Sequence, residues 1–155
     1  MTIYYTDGSA SPNPGPGGFA VIKNGEPYLI GSEIGETTNI RMEGRALINA
    51  LLDAKGQPCE IHTDSEFWVN VLTKWAPGWA VRGWTKKGGQ IKNLDLVKEA
   101  YGLFTDSSAE LVWVRGHNGT DLNELADIWA NKARAEKLGD EIKIISDVDK
   151  EAGEN

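Results

Sequence analysis

The chain has almost no cysteine. Its single thiol, Cys59, has no second cysteine for an internal disulfide and no neighbours at zinc-ligand spacing, which excludes a disulfide framework and a structural zinc site. Long apolar runs are also missing. None approaches the ~20 residues needed to span a bilayer, so no membrane association is expected. The opening MTIYYTDGS lacks the charged stretch and following apolar run of a secretory leader. These absences predict a cytoplasmic protein. Positive charge is in short supply as well: 16 Lys and Arg stand against 23 Asp and Glu, a formal net charge of −7. Taken as an average, that balance argues against a nucleic-acid partner.

What is present is ordinary globular composition. With 155 residues, 40% hydrophobic and 25% charged, the chain suits one domain with a sizeable core and excludes wholesale disorder or a fibrous repeat. The charge is unevenly spread. From Phe67 to Leu94 there are five basic residues (Lys74, Arg82, Lys86, Lys87, Lys92) and no acid, a local charge of +5. From Gly139 to Asn155 six acids face Lys143 and Lys150, a local charge of −4. An acidic average therefore conceals one basic segment.

Turn chemistry and periodicity divide the chain. TIYYT reads as a strand ending at Asp7-Gly8, followed by a Pro- and Gly-dense loop, SASPNPGPGG. FAVIKNGEPYLIG reads as two strands joined at Asn24-Gly25, a hairpin signal. Apolar residues recur at helical spacing from Arg41 to Lys55, and Gly56 and Pro58 stop that helix. CEIHTD is a short strand ending in Asp64. Ser65 is placed to cap a helix SEFWVNVLTKW, closed by Pro77 and Gly78. After a basic, Trp-bearing loop come a helix from Asn93 to Phe104, a strand ELVWVRG, the turn NGT and a last helix ended by Gly139. The order β-β-β-α-β-α-α-β-α predicts an α/β fold with a mixed five-stranded sheet and helices on its faces. The expected organisation is one domain over residues 1–138 and an acidic tail over 139–155, either loosely docked through IKII or disordered.

Carboxylates fall at suggestive places. Asp7 ends the first strand, Asp64 ends the fourth, Glu43 opens the first helix, and Asp127 lies early in the last helix. Strands one and four are natural parallel neighbours, so their terminal acids would share the crevice where open α/β sheets bind ligands. Clustered carboxylates raise one another's pKa unless a cation neutralises them, and Mg²⁺ with oxygen ligands does this well. Spacing alone leaves the alternative open: Asp before Gly is a common turn residue, and Glu in a first helical turn serves the dipole.

Four motifs in order, YTDGSASPNPGPGG, TTNIRME, IHTDSEF and VRGHNGTDLNELAD, resemble the type 1 ribonuclease H family over about Thr2 to Leu138. The resemblance implies a ribonuclease H-like fold and endonucleolytic cleavage of the RNA strand of RNA–DNA hybrids by two metal ions, leaving 3′-hydroxyl and 5′-phosphate ends. It implies Mg²⁺, with Mn²⁺ as a substitute, held by Asp7, Glu43, Asp64 and Asp127. His117 matches the loop histidine that assists proton transfer or product release. Asn13 and Asn39 resemble residues that contact nucleic-acid sugars and backbone, and Thr38 part of a phosphate pocket for the DNA strand. The segment from Lys74 to Asn93 resembles the family's basic protrusion, with Trp75, Trp79, Trp84, Lys86 and Lys87 as candidate substrate contacts. The expected partner is an RNA–DNA hybrid, bound by a monomer.

Two departures stand out. Ile40 occupies a position where the family commonly has a second Asn, and the protrusion carries fewer lysines than the most basic members. Trp68, Trp113 and Trp129 read as core residues, and His62 as a structural residue. Trp75, Trp79 and Trp84 can equally line a channel or anchor the protrusion. A strand-transfer or exonuclease domain would use similar acids. The Asn13 loop, the TTN run and the basic segment favour the ribonuclease. A non-catalytic hybrid-binding module would have lost a carboxylate, and all four are present.

Overall fold

The computed structural model describes residues 1–115 and 121–145. Strands β1 (Thr2–Ala10), β2 (Gly17–Lys23) and β3 (Glu26–Gly31) form an antiparallel meander. Asn24 and Gly25 join β2 to β3, both at positive φ (49° and 84°), as the expected hairpin turn requires. Helix α1 (Asn39–Ala54) then crosses to β4 (Cys59–Thr63), which pairs parallel with β1. After α2 (Glu66–Asn70), a π-helical turn (Val71–Trp75), α3 (Ala76–Val81) and α4 (Leu94–Thr105), β5 (Ala109–Trp113) adds parallel to β4. Helix α5 (Asp121–Glu136) leads to β6 (Ile142–Ile144), antiparallel to β3.

The sheet order is β5-β4-β1-β2-β3-β6. The mixed sheet is as expected, with one strand more than the five read from sequence. The IKII patch supplies that strand, and the adjoining Ile145 is buried. Two other boundaries differ. Strand β1 runs on to Ala10, because Asp7 to Ala10 pair with Ala20 to Gly17 of β2. Pro77 does not close a helix; it sits in the first turn of α3, where a missing N–H costs nothing.

The sequence of β2 explains the layering. Its side chains alternate between faces: Phe19 and Val21 join a core under α1 and α4, while Ala20 and Ile22 join a second core under α5. A strand covered on both faces can be a continuous apolar run, which GFAVI is. Leu29 and Ile30 of β3 divide the same way. Fully buried Trp68 anchors α2 in the first core, and its indole Nε1–H donates to the Ile40 carbonyl at 2.7 Å. Trp129 lies in the second core. Trp113 is not a core residue, being 46% exposed at the β5 edge. No helix among the described residues is long and apolar enough to cross a membrane.

Candidate active site

Three local structures carry three carboxylates to one place. Asp7 lies on β1, Asp64 follows β4, and Glu43 sits in the second turn of α1. Strands β1 and β4 are parallel neighbours, with Thr6 paired to Thr63, so the residues that follow both pairs lie side by side. The third acid needs α1 pressed against β1, and Gly8 permits this. A Cβ there would collide with the backbone of Met42 and Glu43. As a result, one oxygen from each of Asp7, Glu43 and Asp64 lies within 4.8 Å of the others.

The electrostatics follow from that crowding. Asp7 is buried, and desolvation pushes its pKa far up; the charges of Asp64, Asp127 and Glu43 add to this, while the Gly8 amide opposes it. Burial pushes Glu43 to about 7, with Asp64 adding to the rise and a hydrogen bond from Ser65 working against it. Three carboxylates gathered this closely are a hard, oxygen-only donor set that suits a divalent cation of the Mg²⁺ type. Asp127, on α5, is not part of the 4.8 Å triad, but its charge is felt at Asp7. His117 lies outside the described residues.

The loop side of the site is internally tied. Asn39 Oδ1 accepts the Ala10 amide at 2.7 Å, and Asn13 Oδ1 accepts the Asn39 amide at 3.1 Å. Both side-chain oxygens are thereby used, and the amide NH₂ groups are the donors left for a ligand. Thr38 caps α1, accepting the Arg41 amide at 3.1 Å. Ile40 leans on the first core rather than offering a polar group.

The protrusion forms a groove of about 500 Å³ lined by Phe67, Lys74, Trp75, Gly78, Trp79, Arg82, Lys86, Ile91 and Lys92. Trp75 and Trp79 stand 6.1 Å apart at a 39° tilt, and Trp75 is 42% exposed. Four cations around two aromatic faces suit a nucleic-acid backbone and its bases. Trp84 is not in this lining. It packs edge-on against Tyr101 at 5.8 Å, with Lys98 over its ring, and so anchors the protrusion. Lys87 is exposed and also outside the lining. Lys74, Arg82 and Lys92 belong to the groove although only the charge count of the segment had marked them.

Two supporting roles escaped the sequence reading. Ser65 caps α2 by accepting the Trp68 amide at 3.2 Å, and its hydroxyl donates to Glu43. Its cap role was legible; its second bond joins residues distant in sequence. Trp113 Nε1–H donates to the Asp64 carbonyl at 3.3 Å, across from β5.

The RNase H family model matches residues 1–135. The chain belongs to the RNase H family. Among similar relatives, ribonuclease HI of Xylella fastidiosa is 45% identical over 132 residues, covering 81% of this chain and 87% of that protein. Ribonuclease H of Polynucleobacter asymbioticus is 45% identical over 141 residues, covering 88% and 91%. Among solved structures of this RNase H fold, LC9-RNase H1, described as a type 1 RNase H with the type 2 active-site motif, superposes with a TM-score of 0.78 at 29% identity. The match covers 99% of this chain and 81% of that one. LC11-RNase H1, solved in complex with RNA/DNA hybrid, gives 0.63 at 26% identity, covering 90% and 100%.

Proposed function

We propose that the chain is a metal-dependent endoribonuclease that hydrolyses the RNA strand of RNA–DNA hybrids. The observation that carries this is the convergence of Asp7, Glu43 and Asp64 within 4.8 Å, just past Thr6 and Thr63, the last paired residues of parallel β1 and β4. Family membership and the hybrid held by the similar LC11-RNase H1 support the substrate class. The three carboxylates, with Asp127 contributing charge, hold Mg²⁺, or Mn²⁺ in its place. When bound, such a cation would supply Lewis-acid chemistry to the attacking water and the leaving oxygen, the chemistry that gives 3′-hydroxyl and 5′-phosphate ends.

The chain's own residues do the rest. Burial of Asp7 removes water from one side of the site and keeps its carboxylate in want of a cation. Asn13 and Asn39 offer amide donors to the sugars and backbone of the hybrid, and Thr38 contacts a DNA-strand phosphate. Trp75 and Trp79 stack against the substrate while Lys74, Arg82, Lys86 and Lys92 neutralise phosphates. Lys87 adds charge at the groove's margin, and Trp84 serves binding through the protrusion's shape. His117 moves a proton or helps release product. The catalytic unit spans residues 1–138, the segment 139–155 takes no part in chemistry, and the enzyme works as a cytoplasmic monomer.

A substrate panel tests this reading. With Mg²⁺, labelled RNA–DNA hybrid should be cut, and double-stranded RNA and double-stranded DNA left intact. Equal cutting of all three, or cutting of the duplex DNA alone, would overturn the substrate assignment.

A further inference from the structure

Arg41 uses every donor it has. A guanidinium carries five N–H groups, and here they make five hydrogen bonds. Nε and Nη2 reach the two Glu33 carboxylate oxygens, each at 3.1 Å. Nη1 and Nη2 reach the two Asp95 oxygens at 3.1 and 2.9 Å, and Nη1 also reaches Asn93 Oδ1 at 3.3 Å. Glu33 lies between β3 and α1 and also accepts the Thr37 hydroxyl at 2.8 Å. Asp95 and Asn93 open α4, at the base of the protrusion. One side chain thus joins three segments, and two opposed bidentate pairs fix its plane.

The pattern has a cost that folding alone does not explain. Asn93 occupies the N-cap of α4 at φ 57°, yet its side chain does not cap the helix. Its oxygen is turned to Arg41 instead. On the other side, the Arg41 amide donates to Thr38. Between these anchors lies a cavity of about 510 Å³ lined by Asn13, Pro14, Thr38, Ile40, Lys92 and Asn93. Lys92 lines both this cavity and the aromatic groove. The two recesses therefore meet at a residue whose neighbour Arg41 holds.

We infer that Arg41 is a positioning residue for hybrid binding: it locks the base of the protrusion, at Lys92 and Asn93, against the start of α1 at Thr38, so that groove and cavity form one track. Its charge is already matched by Glu33 and Asp95, so it acts through geometry rather than by contacting phosphate. Glu43 lies two residues along the same helix, so the lock acts on the binding track and leaves the carboxylates where β1 and α1 hold them. Lysine cannot substitute, because a point ammonium cannot hold two carboxylates and an amide in one plane. This inference rests on the ribonuclease reading above.

The test is steady-state cleavage of RNA–DNA hybrid by the full chain at several salt concentrations, for wild type, Arg41→Lys and Asp95→Asn, with thermal melting alongside. Arg41→Lys should raise KM about tenfold with kcat within about twofold. The logarithmic salt dependence of KM should flatten by about one phosphate contact as Lys92 leaves the track. Asp95→Asn keeps the Glu33 pair and should shift KM the same way by a smaller factor. A merely structural role would lower the melting temperature and leave KM and its salt slope alone; that result in a folded Arg41→Lys protein overturns the inference. Should Arg41→Lys not fold, the same criteria apply to Asp95→Asn. A wild type that leaves hybrid intact overturns the ribonuclease reading instead.

Discussion

The Ser65 hydroxyl donates to the Glu43 carboxylate while accepting the Trp68 amide at 3.2 Å. One small buried side chain therefore starts α2, directly after Asp64, and orients the acid that α1 brings to the site. Ser65→Ala should lose both bonds. The cap should cost about 1 kcal/mol of stability. Glu43, no longer held, should bind metal more weakly, so the Mg²⁺ concentration for half-maximal activity should rise by about three- to tenfold. Titration of activity with Mg²⁺, alongside thermal melting, measures the two effects separately.

A second relationship, far from the site, governs acid stability. Asp53 accepts from Tyr4 at 2.6 Å and Tyr28 at 2.7 Å, and pairs with Lys23 at 2.8 Å. Burial works to raise its pKa, but Lys23, Tyr4 and Tyr28 together hold it below the ordinary 3.8. A carboxylate with a depressed native pKa stabilises the fold above its unfolded value and loses that contribution as pH falls through the native one. Asp53→Asn should therefore cost about 2–3 kcal/mol near neutrality. The gap to wild type should close below pH 3.8. Urea unfolding across that range reads it directly.

The lining of the groove separates two neighbouring lysines. Lys86 belongs to it and Lys87 does not. Lys86→Ala should raise KM for hybrid by about three- to tenfold and Lys87→Ala by less than twofold, with kcat little changed in both. Both losses should shrink at higher salt, as phosphate contacts require. Equal effects would place the backbone path outside the groove.

Much of this was legible in the chain because each feature was local. Alternation and the Asn24-Gly25 turn marked the hairpin, and helical spacing marked α1 and α5. Asp7 and Asp64 could be placed side by side because a parallel crossover puts β4 next to β1. What stayed hidden was non-local. IKII is too short to announce itself as a strand, and it becomes β6 only because β3 offers an open edge. Trp113 resembles a core residue by type, but the edge of the sheet leaves it half exposed. Arg41 and Ser65 gain their roles from partners on other elements, which no spacing in one chain reveals.

The β6 pairing bears on the end of the chain. Ile145 is buried in the core under α5, while Ile142 and Ile144 are largely exposed. Deleting residues 142–155 should cost about 1–3 kcal/mol from the lost apolar burial and leave cleavage of hybrid largely in place, since β2 and β3 stand between β6 and the strand that carries Asp7. Thermal melting and kcat of the truncated protein check the two halves. Loss of most turnover in a truncated protein with native circular dichroism would show that this segment helps to build the site.

The most direct test of the account is cleavage of an end-labelled RNA–DNA hybrid with Mg²⁺ by wild type and Asp7→Asn, with the product ends mapped and hybrid binding measured in parallel. Wild type should cut the RNA strand internally, leaving 5′-phosphate ends. Asp7→Asn removes one charge from the triad without changing its shape. It should bind hybrid, melt at or above the wild-type temperature without metal because carboxylate repulsion is relieved, and lose at least about a thousandfold in turnover. Near-normal turnover by Asp7→Asn would contradict the account.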